Sequence, residues 1–256
     1  RSLPDQGALL VELHDHSAVQ QSEMMLASYS ELIEKKTRSL AREQRRVERL
    51  LFNVLPEKCV NELRSYGRTK PERFHDVSVL FLDFVGFTEL SQRMSTERLF
   101  NELNELFTAF DAIITEHRCE RIKTIGDAYM AATGILREDE DALKRLAQLA
   151  LAMLKEVERL NEAQGLTLQL RIGLHFGPVT AGVIGKKKFI YDLWGDTVNT
   201  ASRMESSGEI GKVNISQATY ELLKNDSQFV FENRGKIKAK GKGEMEMWFV
   251  SAKAEQ

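Results

Sequence analysis

The sequence predicts an α+β fold: a ferredoxin-like βαββαβ core with extra C-terminal elements, preceded by a long coiled-coil helix. Three observations carry this expectation. Apolar residues recur every seven positions at Leu26, Ile33, Leu40, Val47 and Val54. After Gly67, short β-forming runs alternate with helical stripes in the order strand–helix–strand–strand–helix–strand. The composition, 42% apolar and 29% charged over 256 residues, is that of an ordinary globular protein.

The same composition excludes several classes. The densest apolar stretch, Leu146 to Leu154, is interrupted by Gln148 and is far too short to span a bilayer. The 36 basic residues are balanced by 38 acidic ones, so no nucleic acid is expected as partner. Two cysteines, Cys59 and Cys119, cannot staple a scaffold, and reduced, cytoplasmic conditions follow. The chain starts at Arg1 with no signal peptide. It therefore reads as part of a longer protein, with membrane anchoring of the whole left open.

Residues 1–22 carry little signal; Ala8 to His14 would suit a strand, as the tail of a missing upstream region. Residues 23–56 read as the coiled-coil helix, uninterrupted by Gly or Pro until Pro56. The companion seam positions Ser30, Thr37 and Gln44 are polar and only Leu51 is apolar, which makes the seam marginal. A helix packed on its own domain is the alternative. Residues 57–73 form a connecting helix, with Pro at its first turn, and a linker.

Val77 to Phe84 is a strand, and Leu99, Leu103, Leu106, Phe110 and Ile113 stripe the following helix. Arg121 to Thr124 and Ala128 to Thr133 flank Gly126-Asp127 as a hairpin. A second helix spans Asp139 to Asn161, and strands follow at 166–176, 179–184 and 189–193. A helix at Thr197–Ser206, a short one near Gln217–Lys224, and strands near Phe229 and Met247 complete the chain.

Candidate chemistry clusters in three places. Asp83 ends an apolar strand beside a Gly turn, and Asp127 lies at the hairpin tip. A first strand placed centrally in the sheet would let the two converge, and two carboxylates suit Mg²⁺ when substrate phosphates supply the other ligands. Each alone also suits a cap or turn residue. Asn199 and Arg203 are one helical turn apart and share a face, fit for a ribose and a phosphate or for a surface ion-pair face. The Lys/Gly run Lys236 to Gly243 would close over an anion or simply be solvated. It is not a P-loop, and His14, His16, His117 and Cys119 lack partners at zinc spacing.

Four segments together resemble the class III nucleotidyl cyclase catalytic domain over residues 74–252. They are Phe81-Leu-Asp-Phe-Val-Gly-Phe-Thr88, Ile122 to Met130, Arg171-Ile-Gly-Leu-His-Phe-Gly-Pro178 and Tyr191 to Met204. The helix ending at Pro56 is similar to the signalling helix that often precedes such domains. The resemblance implies that Asp83, Asp127 and the carbonyl of Phe84 bind two Mg²⁺ or Mn²⁺ ions. These would hold the triphosphate and activate the ribose 3′-hydroxyl for in-line attack on the α-phosphorus. It further implies that Asn199 orients the ribose, that Arg203 stabilises the α-phosphate, and that Lys240 holds the terminal phosphates. Lys187 lies near another phosphate-contacting position, and the turn residues Phe84, Gly86, Phe87 and Thr88 line the phosphates.

In that family adenylyl cyclases carry Lys and Asp or Thr at the two purine-reading positions, and guanylyl cyclases Glu and Cys. The matching residues here are Lys123 and Asp192, which favours ATP. The resemblance also implies a head-to-tail homodimer whose sites combine the aspartates of one protomer with the base-reading and Asn/Arg residues of the other. An adenylyl cyclase answering to an upstream sensor is the expectation. A guanylyl cyclase and a catalytically silent dimerisation or nucleotide-sensing module are the rivals.

Overall fold

The computed structural model describes residues 17–86, 94–136, 140–185 and 187–253. Two compact units divide at Asn53/Val54. The first contains α1 (Ser17–Phe52), whose seam residues Leu26, Ile33, Leu40 and Val47 are all exposed. The helix stops four residues short of Pro56, so the expected fifth seam residue, Val54, falls beyond it. Among the described residues no helix is long and apolar enough to cross a membrane.

The second unit opens with α2 (Glu57–Tyr66), for which Pro56 is the N-cap rather than a first-turn residue. Gly67 ends it in the left-handed conformation. Then follow β1 (Glu72–Val85), α3 (Thr96–Glu116), β2 (Glu120–Ile125), β3 (Ala128–Thr133), α4 (Ala142–Gln164) and β4 (Gln169–Ile184). These are the six elements of the expected βαββαβ core. After them come β5 (Ile190–Trp194), α5 (Asp196–Ser206), β6 (Val213–Ser216), α6 (Gln217–Leu223), β7 (Phe229–Ala239) and β8 (Gly243–Ala252).

The strands lie in the order β2-β3-β1-β4-β6-β8-β7, with β5 paired to β4. β1 is central and antiparallel to both β3 and β4. Where the sequence suggested two strands at 166–176 and 179–184, the chain forms one long β4. Its first half pairs with β1 and β6 and its second half with β5, so the Gly177-Pro178 step is carried within a continuous ladder.

Period-2 alternation sorts β1 between two layers. Leu80, Leu82 and Phe84 pack with Leu106 and Phe110 of α3 and with Leu146, Leu149 and Met153 of α4. Val77 and Val79 face the other way, with Val179, Leu193 and Ala201 of α5. The buried stripe of α3 is Leu106, Phe110 and Ile114, one residue on from the expected Ile113, which is only partly buried.

Alternation on β4 puts Arg171, Gly173, His175 and Gly177 toward α5. The two glycines explain how close the helix comes. A Cβ on Gly173 would lie 1.9 Å from the Glu205 backbone nitrogen, and one on Gly177 would lie 2.7 Å from Thr197 Oγ1. Thr197 Oγ1 donates to the Pro178 carbonyl at 2.6 Å, and Asn214 Nδ2 donates to the Met204 carbonyl at 2.7 Å. Both ends of α5 are thereby fastened to the sheet.

Candidate active site

Asp83 lies on the α5 face of β1, where antiparallel register sets it opposite Arg171 of β4. Arg171 Nη2 donates to Asp83 Oδ2 at 3.1 Å, and Nε donates to Glu205 Oε1 at the same distance. Burial raises the pKa of Asp83, as does the charge of Asp127, while Arg171 opposes both. Asp127, at the β2–β3 turn, is thus close enough for the two carboxylates to repel. β1 is central in the sheet, as expected, and the charge of Asp127 reaches Asp83.

Those two carboxylates fit a divalent cation, because a cation removes both the repulsion and the cost of the buried charge. Among the described residues no group of three His, Cys, Asp or Glu side chains could hold a metal. An ion held there would take its further oxygen ligands from phosphate or water. Gly86 adopts φ +74°, which turns the chain directly after β1. Phe84 buries its ring beside Phe107. Phe87 and Thr88 lie outside the described residues.

A second pair joins the edge strand β2 to β5. Lys123 Nζ on β2 lies 2.6 Å from Asp192 Oδ2 on β5. Both side chains are largely buried, and Asp192 Oδ1 also accepts from the Leu193 N–H at 2.8 Å. A donor and an acceptor are thereby fixed side by side. Among the described residues no ion pair or hydrogen bond joins this pair to Asp83 or Asp127.

Asn199 is exposed on α5 and Arg203 is half-buried one turn later. Lys240 is exposed in the β7–β8 turn, and Lys187 is exposed between β4 and β5. Neither lysine is drawn into the two clusters above. The lysine of the β7–β8 turn that touches α5 is Lys242, which pairs with Asp196 at the start of that helix. Lys242 holds the Asp196 carboxyl below its ordinary range.

Arg171, Glu205, Asp196 and Lys242 were not singled out from the sequence. Arg171 and Lys242 stood within segments already noted, but their partners lie 88 and 46 positions away. Only the folded register reveals them.

Comparison with known proteins agrees with this architecture. A sequence model of the adenylate and guanylate cyclase catalytic domain matches residues 69–252. The chain is 41% identical over 209 residues to an adenylate cyclase of Mycobacterium tuberculosis, covering 81% of this chain and 47% of that protein. It is 40% identical over 222 residues to human atrial natriuretic peptide receptor 2, covering 86% of this chain and 21% of the receptor. The chain thus spans about half the length of the former and about a fifth of the latter. Among solved structures, the guanylate cyclase domain of RhGC from Catenaria anguillulae in complex with GTP superposes with a TM-score of 0.68 at 38% identity. That match covers 72% of this chain and all of the other.

Proposed function

The chain belongs to the adenylate and guanylate cyclase catalytic domain family, and from that premise we propose that it converts ATP to 3′,5′-cyclic AMP and pyrophosphate. The relatives include both an adenylate cyclase and a guanylate cyclase, so the choice of purine rests on this chain's own residues. The Lys123–Asp192 pair carries it. Adenine presents an N1 acceptor to a lysine and an N6 amino donor to a carboxylate. Guanine presents an N1–H donor and an O6 acceptor, so both contacts would be mismatched. Each mismatched buried polar group costs about 1–3 kcal/mol.

The remaining roles follow from side-chain chemistry. Asn199 orients the ribose, and Arg203 on the same helical face meets the charge that develops at the α-phosphate. Lys240 takes the terminal phosphates, with Lys187 as a further phosphate contact and the Phe84–Thr88 turn lining them. Asp83, Asp127 and the Phe84 carbonyl would hold Mg²⁺ or Mn²⁺. The bound cation would neutralise phosphate charge and lower the pKa of the 3′-hydroxyl.

Two copies are needed, each lending its aspartates to a site completed by the other's Lys123, Asp192, Asn199 and Arg203. The exposed α1 seam would pair the copies and pass on a signal from an upstream region, with this part of the protein in the cytosol whether or not the whole is anchored to a membrane.

Mixing Asp83→Ala and Arg203→Ala chains tests the reading. Each is inactive alone. Random exchange gives about half mixed dimers with one intact site, so about a quarter of wild-type cyclic AMP production returns. No recovery after proven exchange would overturn the shared site, and faster turnover of GTP than ATP would overturn the purine assignment.

A further inference from the structure

One guanidinium serves two carboxylates at the edge of the proposed metal site. Arg171 Nη2 is 3.1 Å from Asp83 Oδ2 and 3.0 Å from Glu205 Oε1. All three side chains are mostly enclosed, Glu205 the most so. Glu205 is held there by the backbone, because α5 crosses β4 in contact with Gly173. The position of the Arg171 fork is therefore set from two elements at once, β4 beneath it and α5 above.

We propose that Arg171, anchored by Glu205, is the positioning residue that orients Asp83 and sets how strongly it draws a divalent cation. The inference rests on the assignment of Asp83 and Asp127 to metal binding. The Nε/Nη2 edge of the planar guanidinium is seated on Glu205 Oε1, so the single Nη2–H that reaches Asp83 Oδ2 has a fixed direction, which the freely rotating ammonium of a lysine would not give. An arginine paired with Asp83 alone would also cancel most of its charge and weaken its hold on a cation. Glu205 shares the guanidinium, so Asp83 is held in direction yet keeps its negative field. Arg171 and Glu205 thus act on the cation with opposite sign.

That opposition separates the proposal from a general packing role. Binding of Mn²⁺ would be measured by electron paramagnetic resonance of the free ion, with 3′-deoxy-ATP present so that no cyclisation can occur. Glu205→Gln gives Arg171 wholly to Asp83, and half-saturation should need about threefold to tenfold more Mn²⁺. Arg171→Gln removes the positive charge and should shift half-saturation the other way by a similar factor. The double variant should return near wild type. Arg171→Lys keeps the charge but loses the fork. It should bind Mn²⁺ within about twofold of wild type, while kcat at saturating metal falls by about tenfold or more.

Unchanged half-saturation in Glu205→Gln, or shifts of the same sign in Glu205→Gln and Arg171→Gln, would overturn the proposal. Should Arg171→Gln fail to fold, Glu205→Gln and Arg171→Lys decide the matter. Asp83→Ala is the separate control. If it binds Mn²⁺ as wild type does, the metal assignment itself fails. If it alone loses the ion while the other variants match wild type, only the positioning role fails.

Discussion

Lys123 Nζ and Asp192 Oδ2 lie 2.6 Å apart although 69 positions separate them in the chain. β2 and β5 belong to different hairpin systems, and the pair joins them where a purine edge would be read. In the structure each residue satisfies the other. On the proposed reading, base binding would exchange one ion pair for two directed hydrogen bonds, and only a base with the right donor–acceptor order would compensate for the exchange.

Substitution at this pair should move substrate choice rather than stability. Lys123→Met should lower kcat/KM for ATP by about 10- to 100-fold. Lys123→Glu with Asp192→Cys should turn the preference toward GTP. Parallel assays of cyclic AMP and cyclic GMP check both outcomes, and an unchanged ATP preference in the double variant would refute the assignment.

Gly173→Ala should be the most damaging of the glycine substitutions on β4. Its Cβ would stand 1.9 Å from the Glu205 nitrogen, a backbone atom that cannot swing away. A cost of about 3 kcal/mol or more is expected, from overpacking against an immovable partner. Gly67→Ala has open space around the new Cβ and meets only the strain of φ +65°, roughly 1–2 kcal/mol. Thermal unfolding of the two variants should rank them in that order.

His175 should make the domain sensitive to mild acid. Burial pushes its pKa down to about 4, Asp196 pulling upward and Lys242 downward. Its ring Nδ1 sits 2.6 Å from Ser216 Oγ. In the unfolded chain the imidazole titrates near 6.5, so between these values the unfolded state binds more protons. The contribution is complete above about pH 6.5 and is lost as pH falls toward 4, on the order of 3 kcal/mol. Denaturant unfolding from pH 7.5 to 4.5 should show that slope, and His175→Gln should flatten it.

Thr37→Leu with Gln44→Leu should strengthen association through α1. The seam residues Leu26, Ile33, Leu40 and Val47 are exposed, and the polar companions limit what pairing can bury. Sedimentation should show tighter self-association. The cyclisation rate should become fixed at a high or low level. An unchanged rate and unchanged association would argue against signalling through this helix.

Much of the architecture was legible in one dimension because it is periodic. The heptad spacing announced α1, an apolar run of β-formers announced β1, and Gly126-Asp127 announced the β2–β3 turn. Boundaries were less legible. Continuity of β4 through Pro178 depends on β5 pairing alongside its second half, and no local signal shows which strands pair. Ile114 is buried rather than Ile113 because the sheet beneath α3, not the helix alone, sets which face is covered.

The sequence by itself determined the order of elements, the family and the residue types that can read a purine, hold a cation and meet a phosphate. Those properties reside in local spacing and side-chain chemistry. The tertiary structure alone decided that Lys123 meets Asp192, that Asp127 repels Asp83, and that Arg171 is shared between Asp83 and Glu205. The reason is register. A slip of one residue between β1 and β4 would send Asp83 or Arg171 to the opposite face, and that register is set by the packing of both layers against the sheet.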